Sequence, residues 1–443
     1  MKVAGERFTV VGAGRSGVAA SNALAKRGGD VLLVEANAEA ARPAGLDERV
    51  AYQAGTNDVR EGDVAVLSPG VPEVSPVRGQ IAARAGEVIG EVELFYRLAP
   101  CPTLAITGTD GKSTTTTMLG DIARVVNPGT FVGGNLGNPL CEGLDELTAD
   151  SLVVAEISCF QLTTCSTFRP RVAIVTNIAE DHLNYHGSFE AYQAAKRRIW
   201  AAMEAEDTVI LNADDGFIAA WERPAVPQVK TFSLVDTDAD AFFADRTLWL
   251  RGPDGVASPL MTRDELPLLG GHNVANALAA GLAAATWGIP AAAIREALMA
   301  YAPLPHRLAT VRTREGVRWV NDSKATNPNA ASAGLRAIEG PVILLAGGSA
   351  KDADFTAFAA LVRERARAVI LFGATRDALA AAIGLGGPAV TVVETMAEAL
   401  EVAQGLAVSG DTVLLSPACA SFDQFKSYGH RGDTFTEMVN ALP

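Results

Sequence analysis

The sequence predicts an α/β protein of three domains, and three observations carry that expectation. Short apolar runs repeatedly end in a glycine turn and pass into a helical pattern, as parallel strands joined by right-handed crossovers do. At 443 residues the chain is too long for a single hydrophobic core. Proline pairs, Pro100 with Pro102 and Pro303 with Pro305, interrupt the alternation twice. The expected domains are therefore residues 1–99, 100–302 and 303–443.

In the first domain, strands are expected at Phe8–Val11, Val31–Glu35 and Val64–Ser68, with a helix at Ser16–Arg27. Gly12-x-Gly14-x-x-Gly17 lies between the first strand and that helix, and Glu35 ends the second strand. This is a Rossmann-like arrangement, in which a diphosphate rests on the helix start. The glycines do not name the nucleotide, so a nicotinamide dehydrogenase stays open at this point. The second domain opens on the strand Leu104–Ile106 and continues with strands at Leu152–Ile157, Val172–Asn177 and Val209–Asn212. Residues 231–269 are rich in turns and read as a small side sheet. Helices follow at His272–Trp287 and Ala291–Ala300. The third domain returns to alternation, with strands at Val342–Leu345, Ala368–Phe372, Val390–Val393 and Val413–Leu415.

Composition narrows the function classes. The formal charge of −14 has no basic stripe to offset it, which argues against nucleic acid as a main partner. The five cysteines form no CxxC pair and read as reduced thiols of a cytoplasmic protein. The start MKVAGERFTV has no apolar signal core, and no apolar run is long enough to span a bilayer.

The chemistry concentrates in TLAITGTDGKSTTTTM, residues 103–118. A phosphate chain needs inward-pointing backbone N–H groups, and a loop pinned by Gly108 and Gly111 lets the main chain approach it. Lys112 then meets the terminal phosphates, Ser113 a magnesium ion, and the helix start adds partial positive charge. The loop lacks two residues of the common P-loop, which points to a narrower family than NTPases at large. Glu156 ends an apolar strand, either as a metal-holding acid or as a solvent-facing strand terminus. His182, in NIAEDHLNYH, is balanced between a ligand and a surface histidine, and Lys196 looks like a solvated helix lysine. Asn273 opens a helix and reads locally as a cap. His306-Arg307, the dense run Asn321–Asn327 and the segment Leu414–Ser421, continued by Phe422–Arg431 with Lys426, Tyr428, His430 and Arg431, are further candidates for a substrate wall.

GTDGKST, AEISCFQL, TNIAEDHLNYHGSFEAYQAAKRRI, ILNADD, GHNVANALAA, LPHR, NDSKATN and LLSPACASFDQF occur in this order. Together they resemble the Mur ligases, ATP-dependent amide-bond-forming enzymes of peptidoglycan synthesis. The resemblance spans all three domains and implies a Rossmann-like UDP-substrate-binding domain, a central P-loop ATPase-like α/β domain and a Rossmann-like amino-acid-binding domain. It implies ATP and Mg2+ as cofactors, with UDP-N-acetylmuramoyl-L-alanine and D-glutamate as substrates of a cytoplasmic monomer. Gly108, Thr109, Asp110, Gly111, Lys112, Ser113 and Thr114 match the phosphate loop. Ser113, Glu156, His182 and Lys196 match the metal-binding positions, Lys196 as a carbamate. Asn273, Arg307 and Asp322 match nucleotide contacts. Ser16 lies at the UDP diphosphate, and Asn135 and Gln161 near the muramoyl group. Lys324, Thr326, Lys351, Ser421 and Tyr428 match the D-glutamate and phosphate side. Asp110 departs from the asparagine general in the family and places a negative charge beside the phosphates. With the ATP groups mainly on the second domain and the amino-acid groups mainly on the third, the third domain is expected to swing about residues 302–305 and exclude water. A sibling ligase for another amino acid, and a nucleotide-gated binding protein without catalysis, are the remaining alternatives.

Overall fold

The computed structural model describes residues 1–72, 75–302, 305–349 and 354–442. The expected positions Pro303 and Lys351 lie outside the described residues. The chain forms three sheets distributed over two compact units, Met1–Leu266 with Ala275–Tyr301 and Pro267–Val274 with Ala302–Pro443.

The first sheet holds β1 (Arg7–Val11), β2 (Asp30–Glu35), β3 (Ala51–Ala54), β4 (Val64–Leu67) and β5 (Glu87–Gly90), all parallel, in the order β3-β2-β1-β4-β5. β3 and β5 go beyond the sequence expectation. The helix Arg15–Lys26 buries Gly17, Ala19, Ala20, Ser21, Ala23 and Ala25, small side chains that let it lie close on its neighbours, together with Leu24.

The second sheet has nine strands: β6 (Thr103–Thr107), β7 (Phe131–Gly134), β8 (Val153–Glu156), β9 (Val172–Val175), β10 (Thr208–Asn212), β11 (Gln228–Ser233), β12 (Ala241–Ala244), β13 (Thr247–Arg251) and β14 (Ala257–Thr262). Their order is β14-β13-β12-β11-β10-β9-β6-β8-β7. The turn-rich stretch expected as a separate side sheet is instead continuous with the main one. β12 pairs in parallel with β11 at Phe232–Ala241 and Ser233–Phe242, and β13 and β14 then extend the edge as an antiparallel meander.

The first two sheets share a seam. One apolar cluster runs from Phe8 and Leu24 through Leu140 and Leu144 to Val153 and Tyr192. At its margin the buried Glu93 carboxylate accepts the amides of Ser166, Thr167 and Phe168 and the Thr167 hydroxyl, and Arg97 closes on it at 2.8 Å. Arg78 donates to Thr163, and Lys26 and Arg27 meet Asp145.

The second unit carries β15 (Ala309–Arg314), β16 (Val317–Asn321), β17 (Val342–Gly347), β18 (Ala366–Phe372), β19 (Ala389–Val392) and β20 (Thr412–Leu415) in the order β15-β16-β20-β17-β18-β19. The chain leaves β17 in one direction and returns to β20 on its other side. The topological switch point therefore falls between β20 and β17, at whose carboxyl ends open α/β sheets place ligands. All five cysteines are free thiols. Among the described residues no helix is long and apolar enough to cross a membrane.

Candidate active site

β6 delivers the chain into the glycine loop, and close approach explains its glycines. A Cβ at Gly108 (φ 146°) would stand 1.9 Å from the Thr176 hydroxyl oxygen. Gly111 takes φ 78° and caps the helix Lys112–Val126. The loop is pinned from the carboxyl end of β9. The Thr109 amide donates to the Asn177 carbonyl (2.9 Å), and the Asp110 amide to Asn177 Oδ1 (2.8 Å). Asn177 Nδ2 and the Thr176 hydroxyl return bonds to the Asp110 carbonyl at 3.0 and 2.6 Å. The amides of Thr109 and Asp110 are thus engaged. Those of Lys112, Ser113 and Thr114 have no carbonyl four residues back within the helix, so they form the anion-facing end. Lys112 Nζ folds over the loop onto the Thr109 carbonyl at 2.6 Å. The Asp110 side chain is exposed.

Lys196 reaches the same loop from the helix Phe189–Arg197. The sequence gives this residue no local reason for burial, yet it is 1% exposed. Its Nζ donates to the Gly108 carbonyl and lies 4.7 Å from the Tyr192 ring centroid. Burial, and secondarily the nearby Lys112 charge, pull its pKa down to about 7. About half or more of such an amine is neutral at physiological pH, unlike a solvated lysine. Tyr192 also joins its hydroxyl to that of Thr109 at 2.8 Å, and Thr109 accepts the Ala179 amide at 2.9 Å.

Glu156 ends β8 fully buried. One carboxylate oxygen accepts Asn135 Nδ2 at 2.7 Å, and the other has no hydrogen-bond partner among the described residues. The Asn135 amide also bonds the Glu156 carbonyl at 2.8 Å, so two expected site residues are locked together. Gln161 is occupied differently. Its side-chain oxygen caps the helix Cys159–Leu162 by accepting the Ser158 amide and hydroxyl, at 2.9 and 3.0 Å. His182 takes the left-handed conformation (φ 53°), with Nε2 3.3 Å from Asp181 and its ring 4.6 Å from that of Phe160. Among the described residues no group of three or more His, Cys, Asp and Glu side chains is gathered as a metal cage. The orphaned Glu156 oxygen and the neutral-prone Lys196 amine do fit a hard cation, provided Lys196 contributes oxygen as a carbamate.

The first glycine corner lies on β1 and the helix Arg15–Lys26. A Cβ at Gly17 would meet the Gly12 carbonyl oxygen at 1.9 Å, so helix and turn touch. Glu35, at the end of β2, accepts the Ala13 amide on one oxygen (2.9 Å) and the Asn37 amide on the other (3.1 Å). Those bonds hold its carboxyl below the usual range. Ser16 stands in the first helical turn, half-buried.

In the second unit, Asp322 follows β16. It is buried, accepts the Ser416 hydroxyl (2.8 Å) and the Leu308 amide (3.2 Å), and burial pushes its pKa up to about 7. Arg307 opposes that shift through its charge. Asn273 donates Nδ2 to the Leu269 carbonyl at 2.7 Å. The Lys324 amide bonds the His306 carbonyl, the Thr326 amide bonds the Lys324 carbonyl, and Lys324 Nζ lies 6.0 Å from the ring centroid of the half-exposed Tyr428. The Ser421 hydroxyl is buried with no partner among the described residues. The supporting residues Thr176, Asn177 and Tyr192 received no role from the sequence. Their position at the end of β9 and four residues before Lys196 was the available signal.

A helix-start lysine and hydroxyl beside a strand-end carboxylate on a parallel sheet are the parts of a phosphoryl-transfer site. Comparison with known proteins narrows that class. Residues 106–284 match the Mur ligase middle domain, and residues 306–419 the Mur ligase glutamate ligase domain. A UDP-N-acetylmuramoylalanine–D-glutamate ligase of Salinibacter ruber is 42% identical, with 98% of each chain covered. One of Pelotomaculum thermopropionicum is 39% identical, covering 99% of this chain and 98% of that protein. The fold is shared with a pseudomurein peptide ligase from Methanothermus fervidus (TM-score 0.60, 19% identity, covering 99% of this chain and all of that one). This chain belongs to the Mur ligase family.

Proposed function

We propose that this protein joins D-glutamate to UDP-N-acetylmuramoyl-L-alanine in peptidoglycan synthesis, with ATP hydrolysed to ADP and phosphate. The observation that carries the chemistry is the burial of Lys196 against the Gly108 carbonyl beside Lys112. A lysine held there as a neutral amine adds carbon dioxide at Nζ, loses a proton and becomes an anionic oxygen donor facing the phosphate loop. The names of the full-length relatives support the choice of substrates.

A free carboxylate resists amide formation because oxide is a prohibitive leaving group. Phosphorylation of the alanyl carboxylate makes an acyl phosphate, the D-glutamate amine attacks, and the tetrahedral intermediate expels phosphate. Lys112 and the amides of Lys112, Ser113 and Thr114 hold the transferring phosphoryl group. Glu156, His182, Ser113 and carbamylated Lys196 would hold magnesium, which when bound would offset the repulsion between two approaching anions. Asn135 orients the Glu156 carboxylate and faces the muramoyl group, with Gln161 near it, and Ser16 receives the UDP diphosphate. Asn273, Arg307 and Asp322 serve the nucleoside, and Lys324, Thr326, Ser421 and Tyr428 receive D-glutamate. Residues 1–99, 100–302 and 303–443 divide this work as UDP-substrate, ATP and amino-acid domains of a cytoplasmic monomer.

The dehydrogenase alternative loses its main support, because both Glu35 oxygens brace the protein's own loop. The deciding experiment offers a panel of amino acids with UDP-N-acetylmuramoyl-L-alanine, ATP and magnesium, and follows ADP and the UDP product. D-Glutamate is expected to be the one strong acceptor. Turnover with a different amino acid assigns a sibling activity, and ATP binding without acceptor-dependent phosphate release removes the catalytic reading.

A further inference from the structure

Among the described residues Arg431 is the largest fully buried side chain, and the proposed chemistry does not use it. It sits in the first turn of the helix Tyr428–Ala441. Its Nε donates to the Ser323 hydroxyl at 3.0 Å. Nη1 lies 3.2 Å from the Ala420 carbonyl and 3.5 Å from that of Gly347. Nη2 donates to the carbonyls of Ser323 (2.9 Å) and Cys419 (3.1 Å). Among the described residues no carboxylate stands within ion-pair distance of it, and the acidic groups that favour its charge are the Cys419 thiol and, after it, Asp423.

These acceptors belong to three separate segments, and all three lie at the carboxyl ends of strands. Ser323 follows β16, Gly347 ends β17, and Cys419 and Ala420 follow β20. In the sheet these strands are neighbours, β16-β20-β17, and they flank the switch point. Lys324 and Thr326 stand directly after Ser323, Ser421 follows Ala420, and Tyr428 opens the helix that carries Arg431. The Ser323 hydroxyl ties the set together by donating to the Tyr428 carbonyl at 2.8 Å.

A neutral donor would satisfy one or two of these carbonyls. Only a guanidinium supplies five N–H groups in one rigid plane. Burying that charge costs several kcal/mol before compensation. Burial brings its pKa down to about 10, so it remains a cation at neutral pH. An acceptor amino acid with two carboxylates approaches a site whose field is already set.

We propose that Arg431 is a positioning residue for the amino-acid acceptor. Its guanidinium fixes the three strand-end segments that line the acceptor crevice and sets a positive charge beneath them. The inference rests on the assignment of Lys324, Thr326, Ser421 and Tyr428 to the acceptor side.

The test measures KM for D-glutamate, ATP and UDP-N-acetylmuramoyl-L-alanine in the full chain for Arg431→Met, Arg431→Lys and Ser323→Ala, with a melting curve for each. Arg431→Met is expected to raise the D-glutamate KM by about tenfold or more while the other two stay within about twofold, and Arg431→Lys, which keeps the charge but not the five-donor fork, to recover only part of that loss. Should Arg431→Met fail to fold, Ser323→Ala decides, with an expected rise of about threefold confined to D-glutamate. An unchanged D-glutamate KM, a parallel rise in all three constants, or a lysine variant no better than the methionine one overturns the proposal. A wild type that accepts another amino acid overturns the proposed function instead, and the same split measured with that amino acid then judges Arg431 separately.

Discussion

The first unit contains two strand–glycine–helix corners that look alike in sequence and are built differently. At the first, Gly12 to Gly17, helix and turn are in contact, and Glu35 clamps the loop from β2 through the Ala13 amide. The corner's one cation, Arg15, is exposed and lies 3.6 Å from Glu142, and its brace is itself an anion. At the second, Gly108 to Ser113, the braces are the neutral Asn177 and Thr176, and two buried or half-buried lysines face the loop. A diphosphate that is only held tolerates a carboxylate behind the turn. A phosphoryl group that moves needs cations in front of it. On the proposed assignment, the glycine spacing marks where a phosphate rests, and the surrounding charge distinguishes the corner that holds it from the corner that transfers it.

That contrast breaks most directly at Lys112. Lys112→Ala is expected to reduce turnover by about a thousandfold or more with an unchanged melting temperature, since the lysine contacts a single loop carbonyl in the protein itself. Retained turnover would erase the difference between the corners. Lys196→Ala should lose at least about a hundredfold in kcat and regain part of it with added short carboxylates, read by ADP release. A rate that is unaffected by the additive argues against the carbamate. Its removal also has a thermodynamic signature. The folded pKa of about 7 lies below the ordinary lysine value of 10.5, so wild-type stability rises with pH between those limits as the native state sheds the proton first. Lys196→Met should flatten that rise in melting curves from pH 6 to 10.

Asn177→Ala releases the Asp110 amide and is expected to raise the ATP KM about tenfold, leaving the UDP-substrate KM alone. Glu35→Ala should do the converse at the first corner, about three- to fivefold in the UDP-substrate KM. Crossed effects in either variant would show that the two corners are not independent. The smallest effect is assigned to Asp110→Asn. Its side chain is exposed and the cradle is built from amides, so the ATP KM is expected to fall only about twofold in a titration at low salt.

Much of this was legible in the sequence because parallel α/β folds are written locally. The apolar runs at Phe8, Leu104, Val172 and Val342 bury whole strands and are visible locally, whereas the close approaches that require Gly108 and Gly347 are to Thr176 and Phe372, residues remote in sequence. The edge strands Ala51–Ala54 and Glu87–Gly90 were not legible, being four residues long and partly exposed. The continuity of the nine-stranded sheet rests on two residue pairs between β11 and β12, a long-range registration that no local pattern encodes. Lys196 was unreadable by itself for the same reason. Its burial is created by Gly108 and Tyr192, and only the family resemblance pointed to it. Arg431 was singled out only as part of a tail segment, because its partners come from three strands distant in sequence.

The seam around Glu93 bears on how this enzyme tolerates recombination. The carboxylate of one helix serves as the docking point for a turn some seventy residues downstream, and the apolar cluster crosses the same border. Excised at residue 99, the leading segment would leave that acid with Arg97 but without the amides of residues 166–168 and the Thr167 hydroxyl, and would cut the apolar cluster in two. A chimera that exchanges this segment with a relative's should therefore carry residues 139–145 and 163–168 along with it, or the hybrid inherits a cut through its own interior.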